Sequence, residues 1–299
     1  MIKNVPFNKF YKLFNLISFL FILLSLCLLL FKGLNFGVDF KGGTLIELRT
    51  SDKSITVTNI RDSLNQINLG DVSVKTFGKE DDYLIKFEKK DFNNPNFIGE
   101  IKTKLISSLG NAFEFRRVEN VGPKVSSELL RSGIIAICLS LAAMLVYIWI
   151  RFEWQFSLGA IVALFHDVII TLGIFSLFSL EINLSIVAAV LTLVGYSMND
   201  TVVIFDRVRE NLKKYSDIKI FELTNISINE TLSRTIITSA TTLLALFAIF
   251  FFGGEILKGF SLAMILGVFF GTYSSIYIAN PILVFLKVSS KTILKEDNN

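Results

Sequence analysis

The sequence has 299 residues, 52% of them hydrophobic and 19% charged, against roughly 45–50% apolar and 25% charged for soluble domains. Thirty Lys and Arg against 26 Asp and Glu leave a net charge of +4, too small an excess to mark a nucleic-acid-binding protein. Two cysteines, both inside apolar runs, and a single histidine exclude a disulfide framework and a cysteine- or histidine-rich metal centre.

The first apolar run, Leu13–Phe31, follows Lys3, Lys9 and Lys12. No small-residue cleavage site comes after it, and its apolar stretch exceeds the roughly 7–15 residues of a signal peptide, so an uncleaved anchor helix is expected. Residues 34–131 then hold 15 Lys and Arg and 14 Asp and Glu, which marks them as water-facing.

Within that segment Thr44–Arg49 alternates as a strand does. Thr56–Ile67 places Ile60, Leu64 and Ile67 at helical spacing, and Val72–Phe77 and Tyr83–Glu88 read as strands separated by a turn over Gly78–Asp82. Asn94-Pro95 precedes a second helix with Phe97, Ile98, Ile101, Leu105 and Leu109 on its apolar side, and Ala112–Val118 is a fourth strand. The order β-α-β-β-α-β is the ferredoxin-like split βαβ pattern. Its mixed charges read as a solvated surface, without a catalytic constellation.

Five more runs follow: Ser132–Ile150, Phe156–Leu180, Ile182–Phe205, Thr235–Phe252 and Phe260–Leu286. With the first they make six spans, each near the 17–25 residues or so that cross a bilayer. Twelve Lys and Arg fall in the short segments on the side of the N-terminus, against only Lys32 and Lys258 in the short loops opposite. That asymmetry puts both termini inside. The expected fold is therefore a membrane α-helical protein with six transmembrane helices, N-in and C-in, plus an α+β ferredoxin-like outer domain between spans one and two. The expected division is 1–33, 34–131 and 132–299.

Ionisable side chains inside a span cost ~2.5–3.5 kcal/mol each on insertion scales and are functional candidates by default. The third span carries His166 and Asp167, the fourth Asn199, Asp200 and Thr201, and the fifth opens on Arg234, with Thr238 one turn further. Small or polar residues recur every four positions around them: Gly159, Ala163, Asp167 and Thr171; Ala188, Thr192, Tyr196 and Asp200; Arg234, Thr238, Thr241 and Ala245. The sixth span runs Gly259, Ala263, Gly267, Gly271, Ser275 and Ala279, a stripe that lets helix backbones pack closely. Pro281 should bend that helix near its inner end.

Asp200 and Arg234 admit three readings: a structural buried ion pair, two wet groups at the inner interface, or a proton relay. In the relay a proton arriving at Asp200 releases Arg234 and changes which helix packing is preferred. His166 and Asp167 fit a packing role through hydrogen bonds across helices. A Ser197–His166 hydrolase dyad has no support, because Gly195-Tyr196-Ser197-Met198-Asn199 is not G-x-S-x-G and lies mid-span. Glycine-rich phosphate loops are absent.

Four blocks resemble the SecF family of the bacterial protein-export machinery. They are Gly37-Val38-Asp39-Phe40-Lys41-Gly42-Gly43-Thr44; the run from Gly195 through Asp200 and Arg207 to Asn211; Leu232-Ser233-Arg234-Thr235 leading to Thr238-Ser239 and Thr241-Thr242; and Gly271-Thr272-Tyr273-Ser274-Ser275. Phe165-His166-Asp167 also fits, and Met198 stands where the family more often has Ile. The likeness covers about residues 13–286. It implies half of a bundle similar to resistance–nodulation–division transporters, completed by six spans of SecD. It further implies a non-enzymatic accessory role in the bacterial inner membrane, where the proton motive force promotes preprotein translocation and release. The implied partners are SecD, the SecYEG channel with SecA, YajC, the preprotein and membrane lipid, with no cofactor and no metal. The implied proton relay is Asp200 with Arg234 and a further carboxylate on SecD. The competing expectation on the same architecture is a subunit of an exporter of lipids or small molecules.

Overall fold

A computed structural model describes residues 5–52, 54–65, 72–77, 79–87, 97–110, 113–215 and 217–294. The chain divides into two compact units: Met1–Asn35 with Ile135–Asn299, and Phe36–Ile134.

The second unit opens on one helical turn, Val38–Lys41, ended by Gly42. Gly42 and Gly43 have φ of +80° and +134°, a region that side-chain-bearing residues rarely adopt, so the glycine pair turns the chain from that helical turn straight into a strand. The elements then run β1 (Gly43–Thr50), α2 (Val57–Asn65), β2 (Val72–Phe77), β3 (Lys79–Phe87), α3 (Phe97–Leu109) and β4 (Phe113–Val121), with α1 assigned to the membrane helix before them, Tyr11–Phe31. The strands form one antiparallel sheet in the order β2-β3-β1-β4, so each crossover helix spans a strand and the unit is ferredoxin-like. Alternate residues of β1 and β3, Ile46, Leu48, Ile85 and Phe87, meet Ile60 and Leu64 of α2 and Ile101 and Leu105 of α3 in one core. All of these are at most 2% exposed.

The turn expected over Gly78–Asp82 is shorter than its composition suggests. Lys79–Asp82 belongs to β3, and Asp82 lies opposite Arg49 of β1, accepting two hydrogen bonds from its guanidinium at 2.6 and 2.7 Å. A cross-strand ion pair suits charged residues to a strand. Gly78, Asn94-Pro95, Ile67, Glu88 and Ala112 lie outside the described residues.

Among the described residues six helices are long and apolar enough to cross a membrane. They are α1 with the 3₁₀ turn Phe7–Phe10 before it, α4 (Pro123–Arg151), α5 (Trp154–Leu177), α6 (Leu184–Lys214), α7 (Ile220–Phe252) and α8 (Glu255–Ser274). α8 continues through a π-helical segment, Ser275–Ala279, into Asn280–Phe285. Pro281 cannot donate a backbone hydrogen bond, and just before it the Asn280 side chain donates to the Ser275 carbonyl at 2.7 Å. α5, α6 and α8 form the buried centre, whereas α1, α4 and α7 are largely exposed.

α6 and α7 outrun their apolar windows, which end at Phe205 and begin at Thr235. The helical extensions survive because their polar residues answer one another. Arg207 donates to Glu230 at 2.7 Å, and Asn211 donates to Glu230 at 2.7 Å and to Ser227 at 2.9 Å.

The stripe on α8 sits against α6. A methyl added at Gly259 would reach Ile186 at 3.0 Å, one at Gly267 would overlap Leu193, and one at Gly271 would meet Ser197 Cβ at 3.1 Å. Ala263, between them, is fully buried. Glycine at three of these turns brings the two backbones close enough for short hydroxyl side chains to bridge them.

Candidate functional site

Asp200 stands on α6 and is 3% exposed. One of its oxygens, Oδ2, accepts hydrogen bonds from Ser239 of α7 and from Thr272 of α8, each at 3.3 Å. The two hydroxyls also bond each other at 2.7 Å. Three helices therefore meet at one carboxylate through bonds at the long end of the usual range. Thr201, next in sequence and fully buried, shares a 2.8 Å hydrogen bond with Ser275.

Arg234 is not part of this cluster. It is exposed on α7, and its charge acts on Asp200 only from a distance. Ser239, five residues further along α7, holds the place at the carboxylate, about 7.5 Å up the helix axis. The residues sharing a stripe with Arg234 are likewise turned outward: Thr241 and Ala245 are exposed, and Thr238 is half-buried. Thr238 donates back to the carbonyls of Arg234 and Thr235, both at 3.0 Å. On α6, Ala188, Thr192, Gly195 and Asn199 are exposed. Between these outward rows, Tyr196 donates to the Thr238 carbonyl at 3.3 Å and to Thr242 at 3.1 Å.

A second buried carboxylate lies on α5. Asp167 Oδ2 accepts from Ser197 of α6 at 2.6 Å and from Ser274 of α8 at 2.8 Å, and its Oδ1 lies 2.9 Å from His166 Nδ1. Ser197 thus binds the acid and not the imidazole. In Ser-His-Asp hydrolases the histidine stands between serine and acid, so the order here is wrong for nucleophilic activation. Among the described residues no three His, Cys, Asp or Glu gather to hold a metal ion.

Sequence alone assigns none of the hydroxyls Ser197, Ser239, Thr272, Ser274 and Ser275 its buried partner. A signal for four of them is the density of Ser and Thr in two otherwise apolar runs, 235–242 and 271–275; Ser197 stands outside both. The two acids differ in how fully they are satisfied. Both oxygens of Asp167 are engaged, whereas the two hydroxyls on Asp200 share one oxygen, so a cation arriving at Asp200 displaces less.

The family model described as protein export membrane protein SecD/SecF, C-terminal, matches residues 101–289, well over half the chain. The chain belongs to the SecD/SecF family. The SecD/SecF GG-motif model matches residues 28–53, which include the glycine pair at the start of β1. The protein translocase subunit SecF of Rickettsia akari is 46% identical over 288 residues, covering 94% of this chain and 93% of that protein. That of Cereibacter sphaeroides is 45% identical over 273 residues, covering 88% and 84%. The crystal structure of SecDF, a translocon-associated membrane protein from Thermus thermophilus, superposes with a TM-score of 0.85 at 35% identity over 95% of this chain. A SecDF structure in a super-membrane-facing form gives 0.70 at 34% identity over 98%. This chain spans only 38% and 40% of those two SecDF chains. Family membership and six apolar helices make it a multi-pass protein of the bacterial inner membrane.

Proposed function

We propose that this chain is a SecF-type accessory subunit of the Sec translocase. Paired with SecD, it takes up protons at Asp200 as they move down their gradient. The resulting helix rearrangement promotes preprotein movement and release at the SecYEG channel beside the SecA motor, with YajC as a further companion. The near full-length kinship to SecF subunits supports the role. The SecDF chains, of which this one spans about two fifths, support SecD as the partner.

The observation that carries the reading is the outward polar surface of α6 and α7. Arg234, Asn199, Thr192 and Thr241 are exposed on helices that cross a membrane, and an arginine facing lipid costs ~2.5–3.5 kcal/mol. A partner chain that covers this surface and brings its own carboxylate to Arg234 removes the cost. It also places a second acid within range of Asp200. Protonation of Asp200 then weakens the acceptor shared by Ser239 and Thr272, which leaves α7 and α8 joined to each other and loosened from α6.

The test is gradient-dependent secretion with Asp200→Asn beside co-purification with SecD. Retained pairing with lost gradient dependence is the expected result. Secretion unchanged in that variant would remove Asp200 from the coupling step, and a preprotein that never cross-links near the complex would favour the exporter reading. Repeating the assay with sodium in place of the proton gradient identifies the coupling ion.

A further inference from the structure

The most enclosed acid of the bundle is Asp167, with no exposed surface, and its neighbour His166 is 1% exposed. His166 is the chain's single histidine. The carboxylate is fully engaged, by His166 Nδ1 on one oxygen and by Ser197 and Ser274 on the other. The second ring nitrogen, His166 Nε2, is buried and has no hydrogen-bond partner among the described residues. A buried polar atom left unpaired costs about 1–3 kcal/mol, so this one calls for an explanation.

Among the described residues no third charged side chain forms an ion pair with the two. On α8 the titratable neighbour is Tyr273, whose ring stacks on the imidazole at 5.9 Å with 22° between planes. Its hydroxyl donates to the Phe14 carbonyl at 2.9 Å and meets Ser18 of α1 at 2.7 Å. Tyr277, in the π-helical segment, packs on Tyr273 and Phe14. On α6 the charged neighbour is Asp200, one turn beyond Ser197 and bonded elsewhere. Among the described residues the only ion pair of Asp167 is the one with His166.

With both serine hydroxyls donating to Asp167, the pair has three proton arrangements. Imidazolium with carboxylate, and neutral imidazole with carboxylic acid, are electroneutral, and in each Nε2 bears a hydrogen. In the third, Nδ1–H faces the carboxylate, the pair carries one net negative charge, and Nε2 bears a lone pair. A net charge buried without a counter-ion is costly, so the pair holds one proton in common until an acceptor appears at Nε2.

We propose that His166 and Asp167 form a second proton-holding site of the bundle, where the proton enters and leaves at His166 Nε2 and Asp167 is the fixed counter-charge. A water molecule against Nε2 supplies both the missing hydrogen bond and the exchange partner. Ser197 and Ser274 hold the carboxylate so that the imidazole, and not the acid, changes its proton content. The inference goes beyond the coupling role given to Asp200 and does not rest on it, since it concerns a different acid with different donors.

The single histidine makes the site directly readable. The full chain is labelled with ¹⁵N-histidine, carries a histidine-free affinity tag, and is placed in lipid nanodiscs. Its two imidazole nitrogens are then followed by NMR from about pH 5 to 9. Nε2 is expected to pass between its protonated and lone-pair positions while Nδ1 stays protonated. Asp167→Asn removes the counter-charge, and Nε2 then gives up its proton earlier on raising the pH, by about one unit or more. Ser197→Ala keeps the carboxylate but removes a donor that stabilises its charge, so Nε2 gives up its proton later, by a smaller displacement in the opposite direction, which serves if Asp167→Asn does not fold. Asp200→Asn leaves the His166 titration in place, so failure of the Asp200 reading in secretion assays and failure of this one are separate results. Nitrogens that stay constant over the whole range, or a midpoint that neither Asp167→Asn nor Ser197→Ala displaces, overturn the proposal.

Discussion

Ser239 of α7 and Thr272 of α8 bond each other at 2.7 Å and both reach the same oxygen of Asp200. The three groups form a closed triangle across three helices whose three edges share two hydroxyl protons, so when one hydroxyl donates to its counterpart the other carries the bond to the carboxylate. Any change of charge at Asp200 is therefore felt by α7 and α8 together.

Removing one corner tests this. Ser239→Ala and Thr272→Val each delete a donor worth roughly 1–1.5 kcal/mol, so the pH profile of proton uptake by proteoliposomes containing the chain and SecD should move by up to about one unit in either variant. The double variant should move it by less than the sum, because the two side chains share a bond. A profile that neither substitution moves would separate Asp200 from these donors.

A glycine inside the α6–α8 contact and one on the outward face of α6 should behave differently. A methyl at Gly271 meets Ser197 Cβ at 3.1 Å and Cα at 3.2 Å, whereas at Gly195 it finds nothing within 4 Å. Gly271→Ala should lower stability by about 1–3 kcal/mol, measured as a fall in the melting temperature of the detergent-solubilised chain. Gly195→Ala should leave that temperature unchanged. If both variants melt alike, close approach at Gly271 is not what sets the packing.

The outward face of α6 and α7 predicts a partner-specific defect. Arg234→Ala and Asn199→Ala remove exposed polar groups, so the isolated chain should be no less stable. Pairing with SecD should weaken at least several-fold, given that a surrendered interfacial charge pair costs about 2 kcal/mol or more. Quantitative co-purification reads the effect, and unaltered recovery of SecD would place its contact elsewhere.

In the ferredoxin-like unit, Tyr83 is 5% exposed and donates to the Ile55 carbonyl at 2.6 Å. Burial, helped by the nearby Asp81 carboxylate, holds its phenol above the ordinary value. The folded state then keeps a proton that the unfolded chain loses near pH 10 or so, and the stability this contributes is complete below that pH and declines above it. Proteolysis of the outer unit in intact protein should accelerate from about pH 10 upward. Tyr83→Phe should remove that dependence, costing about 1 kcal/mol below that pH and progressively less above it.

Patterning alone revealed the parts of the fold whose residues act by kind. Six apolar runs and the alternation at Ile46, Leu48 and Ile85 need only burial to become spans and strands. Polar helix ends were invisible for the converse reason. Arg207, Asn211 and Glu230 look like loop until their mutual bonds are known. The same distinction divides the site. Asp167 and Asp200 stood out as ionisable groups within hydrocarbon, but Ser239 and Arg234 lie five positions apart on one helix, and composition favours the charged one. Which of them faces Asp200 depends on the azimuth of α7 about its own axis, set by Tyr196 and by the close α6–α8 packing. No local pattern records that rotation.

The great length of α6 bears on where its buried acid stands relative to the apolar run. Its 31 residues rise about 46 Å, well beyond a hydrocarbon layer about 30 Å thick. Counted from Leu184, Asp200 stands about 24 Å along that rise. Asp200 is thus near the middle of the helix, but within the apolar run Ile182–Phe205 it stands towards the end that leads to Lys213 and Lys214. If Asp200 takes up protons as proposed, an ion arriving from the Leu184 side crosses more of the apolar run, and so more of the membrane voltage, than one arriving from the side of Lys213.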